Sequence, residues 1–457
     1  MKPPRVSSSR GRYPHLRTPL RPARGYRTLN LSLEEHSIRL ARNTGWLAAG
    51  GVVTALLVVA QTALVARALG SASFGALALA VALAGLVLQF ADFRTWEVVV
   101  RLVPPFLKGA VDDGGAPMIQ ALILVDLAAG LLGMTLTLSL ALILAAFVGG
   151  GASQSGLIRA YALAIPWILV SSGTCGGVLR LTDRFRLLAI KSVVVSGSQL
   201  ALVGAALWSH TGPAGVVWAF VITEFGHALV SLLILRSILR ERGAGLWPKD
   251  RLRVLGRLVV ARPLLGQMWL SGTIKGLGSR LDVPLLGALT SPGTVANYKL
   301  AVDLAGVIAK LGNPVQQVIL PEMVKLENQG SWARLRRLAV QSTLVLAVPI
   351  VPALAVITAA SGRLVQLAAG AEYAGAGPVL ALVSIGVGIN TMLVWSRPLL
   401  VARMRVGAGN VISVVGAAIQ LAIIAAFAGR WGAVAAGAGN AAMFTFSSIA
   451  GAITGLR

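Results

Sequence analysis

From Pro117 to Val148 the chain reads PMIQALILVDLAAGLLGMTLTLSLALILAAFV, with Asp126 as its only charged residue. The run exceeds the ~20 apolar residues that a helix needs to cross a bilayer, and no soluble core needs a run of this length. Comparable runs recur along 457 residues, of which 56% are hydrophobic and 12% charged. A soluble domain carries roughly twice that share of charge. The expected fold class is all-α and polytopic. Twelve spans are expected, at 44–66, 73–92, 117–147, 157–180, 188–208, 213–236, 264–288, 293–318, 338–361, 376–400, 406–428 and 431–455.

The net charge of +25 would point to nucleic acid in a soluble chain. Here the cations are segregated. They fill the tail (Lys2, Arg5, Arg10) and every second loop: Arg94 and Arg101, then Arg184 and Arg186, then Arg236 to Arg262, then Arg334 to Arg337, then Arg403 and Arg405. The intervening loops, such as GSAS, HTGP and TSPG, hold almost none. Positive charge stays inside, so both termini are expected in the cytoplasm and no nucleic-acid partner is expected. Residues 1–42 are basic and rich in Pro and Ser, without an apolar signal core, and read as a disordered cytoplasmic tail.

Two similar words, AVALAG at Ala80–Gly85 and AVDLAG at Ala301–Gly306, fall in the second span of each half. RFR (Arg184–Arg186) followed by Gln199, and RMR (Arg403–Arg405) followed by Gln420, repeat in the same order. Two six-helix bundles, 43–236 and 263–457, joined by a cytoplasmic linker 237–262, are the expected organisation. An even number of spans per half makes the repeats parallel, related by a pseudo-two-fold axis along the membrane normal.

Absent motifs exclude whole classes of function. One Cys, Cys175, and four scattered His provide no metal cluster, and no P-loop or HExxH motif occurs. No cofactor, metal or catalytic residue is expected. The outer loops are too short for a catalytic domain, which leaves movement across the bilayer rather than enzymatic turnover.

Acids inside spans cost about 2.5–3.5 kcal/mol on insertion scales and face an interior or a wet cavity. Asp126, Glu224, Asp282 and Asp303 are such residues, expected as cavity acids or ion-coupling groups. Span seven places Lys275 and Asp282 seven apart on one face, with Arg280 between them; span eight carries Lys299, Asp303 and Lys310 close to one stripe. Internal pairs, Lys299 with Asp303 and Arg280 or Lys275 with Asp282, are one reading. The sharper one is a cationic cavity between the halves in which Arg94, Lys275, Arg280, Lys299 and Lys310 bind an anion. Glu224 and His227, at i and i+3, form a candidate proton-handling pair.

Twelve spans, a long third helix, the passage ARALGSASFGALALAVALAGLVLQFAD followed by amphipathic RTWEVVVRLVPP, and the RFR and RMR turns resemble the polysaccharide flippases of the multidrug/oligosaccharidyl-lipid/polysaccharide exporter superfamily. The sequence departs from that pattern at DFRTWE, where Arg94 stands in a turn that commonly holds glycine. The resemblance implies a two-lobed bundle in the inner membrane. Such a bundle would pass polyprenyl-diphosphate-linked oligosaccharide from the cytoplasmic to the outer leaflet, with membrane lipids and the polysaccharide polymerase machinery as partners. A proton- or sodium-coupled drug or metabolite exporter is the alternative.

Overall fold

Gly70, at φ 72° and ψ 169°, breaks what is otherwise a 59-residue helix, Leu33–Ala91. The positive φ is one that a Cβ would oppose, and the break divides the first two expected spans. The computed structural model describes residues 33–103, 115–182, 184–241, 243–248 and 250–457, so the expected disordered tail lies outside the described residues as far as residue 32, while residues 33–42, expected to be disordered, are instead the start of the helix Leu33–Ala91. Every described regular element is a helix. Residues 42–457 form one compact unit.

After Leu33–Ala91 come the short helix Thr95–Leu102 and the 33-residue Gly115–Phe147. At 1.5 Å per residue the latter is about 50 Å long, more than the bilayer core. The fourth expected span is not one helix. It is three, Ala152–Ala162, Ile165–Ser172 and Thr174–Leu181. Pro166, at the start of the second piece, has no N–H to donate back, and Gly173 ends it. Phe185–Trp208 and Gly212–Arg240 complete the first half.

The second half opens with Arg251–Arg280 and Asp282–Leu289, so residues 251–262 of the expected linker are helical. It continues with Pro292–Asn328 and Trp332–Ala369, a single turn Ala371–Tyr373, then Ala376–Met392, Ser396–Ala402, Val406–Trp431 and Ala433–Leu456. Among the described residues nine helical segments are long and apolar enough to cross a membrane. Arg251–Arg280 and Pro292–Asn328 are not among them. These two helices carry Lys275, Arg280, Lys299, Asp303 and Lys310. Leu132, Ile143, Val345 and Val348 stand exposed on long helices, an outer surface suited to lipid rather than water.

The largest core cluster crosses the two halves. Phe74, Leu79 and Leu83 pack in it with Leu286, Val295, Tyr298 and Tyr373. Small residues allow that approach: a Cβ on Gly75 would collide with the Pro292 carbonyl, and one on Gly287 with Leu79. A second cluster joins Val98 and Val99 to Met118, Leu122, Ile238, Ala261 and Leu265. The start of Arg251–Arg280 therefore packs on first-half helices.

Candidate functional site: an arginine-lined cavity between the halves

A cavity of about 640 Å3 is lined from the first half by Gln89, Asp92, Arg94, Trp96, Glu97 and Arg101. From the second half come Gly272, Arg280, Gln316 and Arg397. Its charge is local and concentrated: four guanidinium groups and two carboxylates in one volume.

Arg94 reaches the cavity through an unusual backbone. Its φ of 51° and ψ of 43° are left-handed, the conformation glycine adopts without cost, which explains why a turn of this kind commonly holds one. Asp92 supports the turn by accepting the Arg94 N–H at 2.7 Å. The Arg94 side chain pairs with Glu97 at 2.9 Å and lies 5.9 Å from the Trp96 ring centroid. On Trp96 also rests Arg180, at 4.8 Å. Opposite, Arg280 donates to the Gly85 carbonyl at 3.1 Å. The glycine pair of the GTIKG stretch brings the helices together, since a Cβ on Gly272 would overlap Arg94 and one on Gly276 would overlap Gln89.

The other expected site residues lie elsewhere. Lys299 and Lys310 do not line this cavity. The Lys299 ammonium is engaged by Asp303, whose second oxygen accepts from Thr62 at 3.0 Å across the halves. The Lys275 side chain lies outside the described residues.

Asp282 does not pair with Arg280. Its carboxylate accepts from the Tyr298 hydroxyl at 2.7 Å and from Gln420 at 3.3 Å, inside the second half. The amide oxygens of Gln420 and Asn440 beside it are buried without partners. Asp126 is a structural pin rather than a cavity acid. It accepts from the hydroxyls of Thr95 (2.6 Å) and Thr174 (2.7 Å) and from the Thr174 N–H (2.8 Å), fastening three helices together. The break at Gly173 supplies that N–H, because the first amides of a helix have no internal acceptor. Glu224 and His227 are in contact at 3.3 Å, as their spacing predicts, but neither lines the arginine cavity.

About 27 Å from Gln89 along its own helix, the halves are closed by bonds between 66–71 and 367–373. Arg67 donates to the carbonyls of Ala368 (2.8 Å) and Leu367, the last turn of Trp332–Ala369. Glu372 accepts from the Ser71 N–H (2.8 Å) and hydroxyl (2.5 Å), and the Tyr373 hydroxyl donates to Ala66 (3.0 Å). One end of the bundle is sealed and the other holds the cavity.

The sequence matches the family described as polysaccharide biosynthesis protein over residues 40–327, more than half of the chain. The chain belongs to that family.

Among curated relatives, this polysaccharide biosynthesis family member is 27% identical over 152 residues to the inner membrane protein YghQ of Escherichia coli K12. That match covers 33% of this chain and 42% of YghQ, less than half the length of either. Solved structures match the fold far more completely. The lipid II flippase MurJ in an inward closed conformation gives a TM-score of 0.71 at 12% identity, covering 89% of this chain and 87% of MurJ. An inward-facing multidrug-resistance MATE transporter of the MOP superfamily gives 0.70 at 13% identity, covering 88% and 93%. A MOP-superfamily transporter from Pyrococcus furiosus gives 0.59 at 13% identity, covering 91% and 95%. The fold is that of the MOP transporters and flippases, a multi-span membrane fold.

In this family member Arg101, Arg397 and Trp96 line the site although they are not among the cavity residues expected from the sequence. Arg397 sits near a helix end, where a snorkelling arginine has the same sequence signature. Trp96 carried no signal apart from its place in an amphipathic segment.

Proposed function

We propose that the protein is a flippase for polyprenyl-diphosphate-linked oligosaccharide, working by alternating access. In this reading twelve spans form two six-helix lobes, 43–236 and 263–457, with basic loops and both termini in the cytoplasm. The cavity then faces the cytoplasm, where the lipid-linked unit is assembled. The observation that carries the reading is the convergence of Arg94, Arg101, Arg280 and Arg397 from both halves on one volume. Guanidinium groups grip phosphate oxygens in bidentate fashion, and a diphosphate offers several. Gln89 and Gln316 supply hydrogen bonds for sugar hydroxyls, while the prenyl tail stays in lipid. Membrane lipids and a polymerase that consumes the flipped unit are the partners this role implies.

The buried acids fit ion coupling better than cargo contact. Asp282, with Tyr298, Gln420 and Asn440 around it, is the strongest of them, because two amide oxygens beside it have no partner. Asp303, Asp126 and Glu224, like Asp282 itself, are engaged by neighbouring groups.

The test is transport in vesicles holding the purified protein and a fluorescent polyprenyl-diphosphate oligosaccharide. Arg280→Gln with Arg397→Gln should abolish movement between leaflets while leaving folding and insertion unchanged. Undiminished flipping by that double variant would remove the phosphate-binding role from the cavity.

A further inference from the structure

A second cavity, of about 440 Å3, lies between Phe185–Trp208 and Gly212–Arg240 and takes no part in the transport path proposed above. Its walls are aliphatic, with Leu187, Val194 and Leu202 on one helix and Ile222, Val230 and Ile234 on the other. From Leu187 to Leu202 a helix rises about 22 Å. One leaflet of hydrocarbon is about 15 Å deep, half the bilayer core. The groove therefore has the length and the lining for one lipid tail.

Two polar groups stand part-way along it, with Leu187 and Ile234 to one side and Leu202 and Ile222 to the other. Lys191 is only 8% exposed, and its ammonium donates to the Ser231 hydroxyl at 3.1 Å. An ammonium has three N–H donors, and among the described residues no carboxylate lies within ion-pair distance of this one. His227 turns Nδ1 to Glu224, while its Nε2 is buried without a hydrogen-bond partner. A buried cation with no carboxylate in contact, and Glu224 acting on it only from further off, is costly. From Lys191 to Leu202 the largely aliphatic wall runs about 16 Å, a poor setting for water and a good one for a hydrocarbon chain.

We infer that this groove holds a membrane phospholipid with an anionic headgroup, its phosphate at Lys191 and His227 and one tail along the aliphatic walls. The prenyl tail of the cargo has related chemistry, but the architecture separates it from this site. Thr174–Leu181 packs against Thr95–Leu102 on one side and Phe185–Trp208 on the other. Its Arg180 is stacked on Trp96, a residue of the arginine cavity's wall, and the two cavities share no lining residue.

The experiment is thermal unfolding of the full-length protein in detergent. Phosphatidylglycerol, phosphatidylcholine, inorganic phosphate or a long-chain polyprenyl phosphate is added to the wild type, to Lys191→Met and to Val194→Trp. Phosphatidylglycerol should raise the wild-type midpoint, phosphatidylcholine should raise it less, and inorganic phosphate should leave it unchanged. Losing a charge-assisted contact should weaken the apparent phosphatidylglycerol affinity about tenfold in Lys191→Met. Val194 is exposed on the groove, so Val194→Trp fills the groove without disturbing the core and should abolish the response. If Lys191→Met does not fold, Val194→Trp decides alone. An equal phosphatidylglycerol response in Val194→Trp and wild type would overturn the inference. So would stronger stabilisation by polyprenyl phosphate, which would assign the groove to the cargo. Neither result would alter the reading of the arginine cavity.

Discussion

Ser71 gives both its backbone N–H and its hydroxyl to one oxygen of Glu372, 301 residues further along the chain. Ser71 begins the helical segment beyond the break at Gly70, and the free amides at a helix start favour an anion. Arg67 does the reverse for the end of Trp332–Ala369, whose last carbonyls favour a cation. Each half completes a helix terminus of the other. Glu372→Ala should therefore shift the bundle toward a form parted at this end. Spin labels at Ser73 and Ala374 would report it as a larger long-distance population; an unchanged distance distribution would mean the bonds are incidental.

The same contact is sensitive to acid. Ser71, through its hydroxyl first and its amide second, holds the Glu372 carboxyl below the ordinary glutamate value of 4.5. The bond therefore contributes fully above pH 4.5 and is lost as pH falls through the lower value of the closed form. The label distances should lengthen only in that acidic window. Glu372→Gln should flatten the dependence.

Arg94 separates stability from transport. Its left-handed backbone costs about 1 kcal/mol that glycine would not incur. Its ion pair with Glu97 is partly exposed and returns no more than about that amount. Arg94→Gly should melt at the wild-type temperature or slightly above it while losing flipping. A marked fall in melting temperature would show that the side chain serves the fold.

Asp126 should behave the opposite way. Asp126→Ala strands two buried hydroxyls and a helix-initiating N–H, a loss of roughly 2–4 kcal/mol. Thermal unfolding should register that loss, with Asp126→Asn less affected. Flipping that fails in a variant of normal stability would return Asp126 to the list of coupling groups.

Gly75 sets how closely the sealed end can shut. Gly75→Leu places a side chain where the Pro292 carbonyl stands, so the closed form should become inaccessible. A cysteine at Ser291 should then label faster with a membrane-impermeant thiol reagent.

Local spacing carried much of this into the sequence. Lys299 and Asp303 meet because four residues make about one helical turn, and Glu224 meets His227 at three. The charged stripes that mark Arg251–Arg280 and Pro292–Asn328 come from the same periodicity. Asp282 shows the limit. Seven residues placed it on a face with Lys275, but its partners, Tyr298 and Gln420, belong to other helices. The closure at Ser71 and Glu372 is further beyond reach, because its two sides are brought together only by the packing of whole halves. Arg397 and Arg101 were visible as cations, yet nothing in the order of residues distinguishes a cation facing a cavity from one facing a headgroup.

The bonds of Arg67 and Glu372 are exposed to solvent. When the halves part, water can replace each lost partner one for one, so neither terminus is left stranded. In the alternating-access reading proposed above, these exposed bonds therefore add little to the cost of parting. Every ~1.4 kcal/mol gained by either form, from cargo, lipid or a single substitution elsewhere, multiplies its population tenfold.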